Sequence, residues 1–498
     1  MAVVDPPKLR TYGNWRKPRS AGLGKLDAKT TGGLFVAAAV GVPVLFLGGL
    51  IVAAVYVLVA GAVLLAVIRE DKHGRSIVTR LASRSWFRRA RRQRATLYRS
   101  GVLGFTPWGT NQLPGIAAQT RLSEWHDSWD RPFGLIHAPV KNHFTVVFRG
   151  EPEGGSLVDQ DQVDSWVGHW GAWLNAFGNE AGAVAASVTI ETAPDYGTRL
   201  RREVMSSRDV NAPDFAVRVM DDIMARYPQG SATVHATIAV TFRGTATEGG
   251  KRRDTEEVAR DLASRIGLMG QGLGHTGAGA VRPMTAQELC EMVRVAYDPA
   301  VAEDIAEAQA DGSDVELSWD NSGPVGAEAH WDYYRHDSGL SRTWQMTQAP
   351  RGEVHADVLL RLLEPSPLID RKRVTLLYRP YDSARSAEIV ERDRNHAQVR
   401  TTSTNKPTQR VLLEQRSAEA TAAEEARGAG LVNFGMLVTA TVLEEGSMKD
   451  ASATISNLAA TARLMLRPVT GAQDSAFAAA LPIGLVLPEY QSLRMVGA

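Results

Sequence analysis

The residues of this 498-residue chain that could do chemistry are eleven histidines, one cysteine and a few glycine-rich runs. The run Gly272-Leu273-Gly274-His275-Thr276-Gly277 has the G-x-G-x-x-G spacing that lets backbone amides approach a dinucleotide pyrophosphate. That chemistry needs the glycines to link a strand to a helix N-terminus, and here they follow a helical pattern, so they read as a loop or helix C-cap. A phosphate loop, G-x-x-x-x-G-K-[ST], would supply amides and a lysine to a triphosphate. Gly24-Lys25 is followed by Leu26 and Gly250-Lys251 by Arg252, and neither has the upstream glycine at the right distance. The sequence holds no H-E-x-x-H, and His126, His137, His143 and His169 are not spaced as a ligand set. His330 and His336 flank Trp331, Tyr333 and Tyr334 and read as a loop held by aromatic packing. With no G-x-S-x-G elbow and Cys290 alone, neither a nucleophile motif, a disulfide framework nor a cysteine metal cluster is expected. The expectation is a non-enzymatic protein with no cofactor and no metal.

The elements around these residues begin with an apolar run from Thr30 to Ile68 that carries no charged side chain. One helix of about 39 residues would measure roughly 58 Å, far beyond a hydrocarbon core of about 30 Å. The spacing therefore predicts a transmembrane hairpin that turns at Gly48-Gly49, with Pro43 weakening its first arm. Both flanks are basic. The first hundred residues carry 18 Lys and Arg against 4 Asp and Glu, and the remainder 38 against 51. Since basic loops stay inside, the charges predict a multi-pass inner (plasma) membrane protein with both termini cytoplasmic. Arg80, Arg84, Arg88, Arg89, Arg91 and Arg92 fall in a basic amphipathic helix that faces anionic lipid head groups or an acidic partner. The acidic body argues against direct binding of nucleic acid.

Beyond the hairpin the patterns alternate. Phe133 to Pro139, His143 to Gly150, Ala183 to Pro194, Ser231 to Gly244, Val354 to Glu364, Lys372 to Asp382 and Leu431 to Glu445 read as strands. Trp166, Trp170, Trp173 and Phe177 recur at helical spacing and read as a core-facing stripe. Further helices are expected near 212–227, over the segment containing Val258, Leu262 and Ile266, over 285–299, across 383–427 and over 447–463. The resulting organisation is a basic lead-in over 1–29, the hairpin over 30–68, a basic juxtamembrane helix over 69–104, a first α/β domain over 105–310, a loop-rich connection over 311–352 and a C-terminal α/β domain over 353–498. The fold class is α+β, a two-helix transmembrane hairpin followed by cytoplasmic ferredoxin-like sandwiches.

The stretch from Leu431 to Gly484 runs strand, helix, short strand at Leu464 to Pro468, then Gln473 through Phe477 to Leu481-Pro482-Ile483-Gly484. In that order it resembles the end of the N-terminal domain of conjugation and type IV secretion ATPases of the VirB, TraC and CagE kind. The chain stops at Ala498, without the ATPase half. The hairpin is similar to the small VirB-type or PrgI-type subunit that partners that ATPase, and large actinobacterial proteins of this layout accompany a separately encoded one. The resemblance implies an inner-membrane subunit of a secretion or conjugative transfer apparatus that docks a secretion ATPase and other apparatus subunits and forms an oligomer. It makes Gln473, Phe477, Leu481, Pro482 and Gly484 structural closers. Two other readings are an EccE-like component of type VII secretion and a membrane-bound enzyme with a pocket between His330 and Trp344.

Overall fold

The computed structural model describes residues 11–490 except 14, 16–27, 70, 72, 103, 105–110, 153, 155–156, 210, 227–231, 246–249, 312, 314, 351 and 403–408. Most of the basic lead-in and Trp108 lie outside the described residues.

Two helices lead the chain, α1 (Ala28–Ile68) and α2 (Ile77–Arg92), followed by β1 (Leu97–Arg99). A first set follows: β2 (Arg121–His126), β3 (Pro132–Ala138), β4 (His143–Glu151), α3 (Gln160–Gly178), β5 (Ala183–Pro194), α4 (Thr198–Ser206), α5 (Asp214–Arg226), β6 (Ala232–Arg243), α6 (Thr255–Leu273), β7 (Ala280–Pro283) and α7 (Ala286–Tyr297). After α8 (Ala302–Asp311) comes a second set: β8 (Gly326–Ala329), β9 (Tyr334–His336), β10 (Gly339–Gln348), α9 (Leu360–Leu363), β11 (Arg371–Pro380), α10 (Ser383–Thr402), α11 (Gln409–Ala426), β12 (Val432–Val442), α12 (Met448–Thr461), β13 (Met465–Pro468) and α13 (Gln473–Ala480). The short α14 (Leu487–Tyr490) ends the described chain.

The two sets are copies of one unit. In the first, β3 pairs with β2 and β4, β4 also pairs with β6 and β7, and β6 pairs with β5. In the second, β9 pairs with β8 and β10, β10 also pairs with β12 and β13, and β12 pairs with β11. The register repeats as well. Ala239 lies opposite Val147 and Ser187 as Thr439 lies opposite Thr343 and Arg373. Met284 donates its amide to the Val147 carbonyl as Val469 does to that of Thr343.

The halves join where β5 pairs antiparallel with β11, giving one 13-stranded sheet in which β1 flanks β8. At the centre of that seam Thr189 lies opposite Thr375. These two residues are equivalent in the two halves, so a pseudo-twofold axis passes between them. The finding corrects the expectation of separate ferredoxin-like sandwiches. Strands β5 and β11, which would be the exposed edges of two independent domains, pair with each other and leave one continuous sheet.

One face of the sheet carries large apolar side chains because its strands alternate with period two. Phe144, Val146, Phe148, Ile238, Val240 and Phe242 pack under α3 and α6, and Val374, Met436, Val438 and Val442 pack under α12. On α3, Trp173 and Phe177 are buried and Trp170 packs partly buried against the same core, while Trp166 lies outside it. The opposite face is unusually hydroxylated and is covered by α7 and α13.

Two expected elements differ. Residues 354–364 form a 3-10 turn and α9 rather than a strand, because Leu359, Leu362 and Leu363 present one helical face to the core. The segment 311–352, expected as loops, supplies β8, β9 and the central strand β10.

At the front, α1 reverses at Gly49, whose φ of 74° and ψ of 176° lie in a region open to glycine. The Tyr56 hydroxyl donates to the Ala37 carbonyl (2.7 Å), so the second arm folds back on the first. Pro43 lies inside the first arm, and Phe35, Phe46, Ile51 and Leu58 are exposed. Among the described residues no helix is long and apolar enough to cross a membrane. The transmembrane hairpin and the multi-pass inner-membrane localisation with both termini cytoplasmic are therefore corrected: the structure gives a helical hairpin with no membrane span among the described residues.

Candidate functional site at the sheet seam

The hydroxylated face is built from threonines placed opposite one another across strands. Thr145 and Thr241 (3.0 Å), Thr189 and Thr375 (3.1 Å), Thr343 and Thr439 (2.9 Å) and Ser341 and Thr441 (2.7 Å) share hydrogen bonds between side-chain oxygens. Each pair satisfies two buried hydroxyls at once, which is what permits a polar sheet face beneath helices. Thr375 also donates to the Ala480 carbonyl at the end of α13 (2.7 Å).

On one side of the axis this face holds a charged cluster. Glu191 accepts from Arg371 Nε (2.9 Å) and Arg373 Nε (3.2 Å), with His235 nearby on β6. Burial pushes the Glu191 carboxyl up, but Arg373 and Arg371 outweigh it and hold it down at about 2. On the other side the equivalent positions are small or apolar. Leu377 replaces Glu191, Ala185 and Ser187 replace the two arginines, and Gly435 replaces His235. The result is a cavity of about 170 Å³. Its walls include Leu377, Ala479 and Leu481, and residues 484–488 run along it. Arg379 is the one charged side chain in this lining.

The closing residues anticipated in the sequence gather here. Gln473 is buried and spans the Thr343 peptide, accepting from its N–H through Oε1 (2.8 Å) and donating from Nε2 to its C=O (3.2 Å). Phe477 packs on Tyr297, Tyr334 and His336. Leu481 and Pro482 end α13, and Gly484 turns the chain with φ +74° against Thr145, where a Cβ would lie 1.9 Å from Oγ1. The strap beyond is tied down at Glu489, which lies 3.2 Å from His143 Nε2 and 3.6 Å from Arg243. The His143 contact, reinforced by Arg243, holds the Glu489 carboxyl below its usual range.

His336 lies under this layer, its ring nitrogens bonded to the Tyr297 carbonyl (2.6 Å) and the Ser341 hydroxyl (2.7 Å). Burial lowers its pKa to about 4, so the ring is a neutral structural element. His330 stacks on Tyr333, and Trp331 packs against Phe87 of α2. This aromatic segment therefore fixes α2 to the second half, while Arg80, Arg84, Arg88, Arg89, Arg91 and Arg92 stay exposed. None of these six makes an ion pair among the described residues. The run Gly272 to Gly277 joins the end of α6 to β7, the reverse of the strand-to-helix order that a dinucleotide loop needs. Among the described residues no group of three or more His, Cys, Asp or Glu is placed to hold a metal ion.

Sequence reasoning missed the duplication and the seam. Its signal is present in Arg282-Pro283-Met284-Thr285-Ala286-Gln287-Glu288, which recurs with one inserted glycine as Arg467-Pro468-Val469-Thr470-Gly471-Ala472-Gln473-Asp474.

In comparisons with known proteins, a family model described as a domain of unknown function, DUF8461, matches residues 19–79, a stretch that spans the hairpin and the start of α2. No curated protein matches the chain. Neither result connects it with membrane spanning, secretion or conjugation.

Proposed function

We propose that this chain is a non-enzymatic docking subunit for a separately encoded ATPase of the VirB, TraC and CagE kind. The observation that carries the reading is the closing unit β12-α12-β13-α13, the stretch whose order resembles the end of that family's N-terminal domain. It forms a compact layer locked by Gln473 and Gly484, and it leaves Lys449, Ala453 and Asn457 of α12 exposed. The six exposed arginines of α2 add a cationic face that favours an acidic surface on the partner. The duplicated sheet serves as a rigid platform, since its central strands are paired on both sides.

The test is a pull-down with the full-length tagged chain from its native source, asking whether a protein with a phosphate loop comes with it. Capture of such an ATPase, reduced at least tenfold by Lys449→Glu with Asn457→Trp on the exposed face of α12, supports the reading. Absence of the ATPase, or capture indifferent to those changes in a folded protein, overturns it.

A further inference from the structure

The cavity beside the seam is the mirror position of a site occupied by two arginines and a glutamate, with His235 at its exposed edge. Its lining is largely apolar, aliphatic residues with Tyr378 and Phe434 among them, and Ser187, Thr241, Asn433 and Arg379 add polar groups. Arg379 is half-buried and makes no ion pair among the described residues, although it contributes at a distance to keeping Glu489 ionised. Glu489 is itself matched by His143 and Arg243. An apolar cavity is thus lined by one cation whose guanidinium has no contacting counter-ion among the described residues, a geometry suited to a planar carboxylate.

From this geometry we propose that the cavity is a binding site for a compact aliphatic or aromatic carboxylic acid, its hydrocarbon body against Leu377, Leu481 and residues 485–487 and its carboxylate at Arg379. A volume of about 170 Å³ matches a benzene-sized body, since an apolar cavity of about 150 Å³ accepts benzene. The body is therefore a ring or a short branched chain rather than a long acyl tail. The site does not depend on the docking reading, because it rests on the asymmetry of the two halves alone.

The symmetry also supplies the test. A Cβ added at Gly435 meets nothing within 4 Å, so Gly435→Leu fills the cavity without displacing backbone. Binding of 4-methylpentanoate and of its neutral analogue 4-methylpentan-1-ol to the full chain is measured by calorimetry and ligand-observed NMR. The acid is expected to bind the unmodified protein at least tenfold more tightly than the alcohol. Gly435→Leu or Ala185→Leu, each checked for a native melt, should abolish both. Arg379→Gln should weaken the acid at least tenfold and leave the alcohol unchanged. Failure of the acid to bind, or binding that persists in a folded cavity-filling variant, overturns the site. Equal affinity for acid and alcohol overturns the role of Arg379.

Discussion

Glu191 and Leu377 stand at equivalent places on two paired strands, one buried between arginines and the other at the wall of a cavity. The backbone around them is the same, down to the register of their neighbours. What differs is how each half fills the space. One half uses charges that satisfy one another, and the other leaves room. A duplicated sheet can therefore hold its architecture through backbone pairing and cross-strand threonines while the positions next to the axis diverge.

The most severe way to break this comparison is to empty the filled side. Glu191→Gln leaves Arg371 and Arg373 buried without a counter-charge and is expected to cost roughly 3–5 kcal/mol in chemical denaturation. Leu377→Ala at the mirror position only enlarges an existing cavity and should cost about 2 kcal/mol. Equal losses would mean that the cluster and the cavity are not alternative fillings of one position.

Next in size is the lock that only the second half has. Gly484→Ala meets both a positive φ and the Thr145 hydroxyl, and should lower stability by about 2–4 kcal/mol. Gln473→Ala strips both partners from the buried Thr343 peptide and should cost about 2–3 kcal/mol. Its counterpart Gln287 bonds the Val315 carbonyl and Glu291, which keeps a second partner in Gln309, and should cost about 1 kcal/mol when changed to Ala.

The halves also differ in acid. His336 in the second half corresponds to Ala138 in the first. Its folded pKa of about 4 lies below the ordinary value of 6.5, so the stability of the neutral ring is fully present above pH 6.5 and is lost as pH falls from there through 4. Glu191, held at about 2 against an ordinary 4.5, loses its contribution only between those values. Acidification should therefore loosen β9 and β10 before β5 and β6, as read by hydrogen exchange at pH 5. The reverse order would contradict the assignment of these groups.

The smallest effect lies on the axis. Thr189→Val should cost about 1 kcal/mol, and Thr375→Val more, because Thr375 also donates to the Ala480 carbonyl. The double variant should fall short of the sum of the two, since each single change leaves the same pair broken. Strict additivity would mean that the two hydroxyls do not interact.

Much of this architecture is readable along the chain. The strand at Ser231 to Gly244 and the helix bearing Val258, Leu262 and Ile266 show clean periods and appear as β6 and α6. The second half is harder because β10 carries Ser341, Thr343 and Gln345 on one face, so it lacks the appearance of a buried strand. The Ser341 and Thr343 hydroxyls are buried in hydrogen-bonded pairs, and hydropathy does not register a polar group that is satisfied by another. Gln473 and Gly484 stand out in the sequence by resemblance, yet why they are needed is visible only where Thr343 and Thr145 meet them. The cavity was illegible, since it arises from Ala185, Ser187 and Gly435 lying opposite residues far away in the chain. The hairpin shows the opposite error. Its apolar run was plain, and the inference from that run to a membrane span failed, because no helix among the described residues is long and apolar enough to cross.

The claim on which the account depends is that the halves share one sheet through β5 and β11. Hydrogen exchange of the full chain, followed by mass spectrometry, tests it most directly. If the seam exists, peptides covering 183–194 and 371–380 will be protected as strongly as those from the interior strands β6 and β12. If those peptides instead exchange as fast as the outermost strand β2, the two halves are separate domains and the pseudo-twofold reading is wrong.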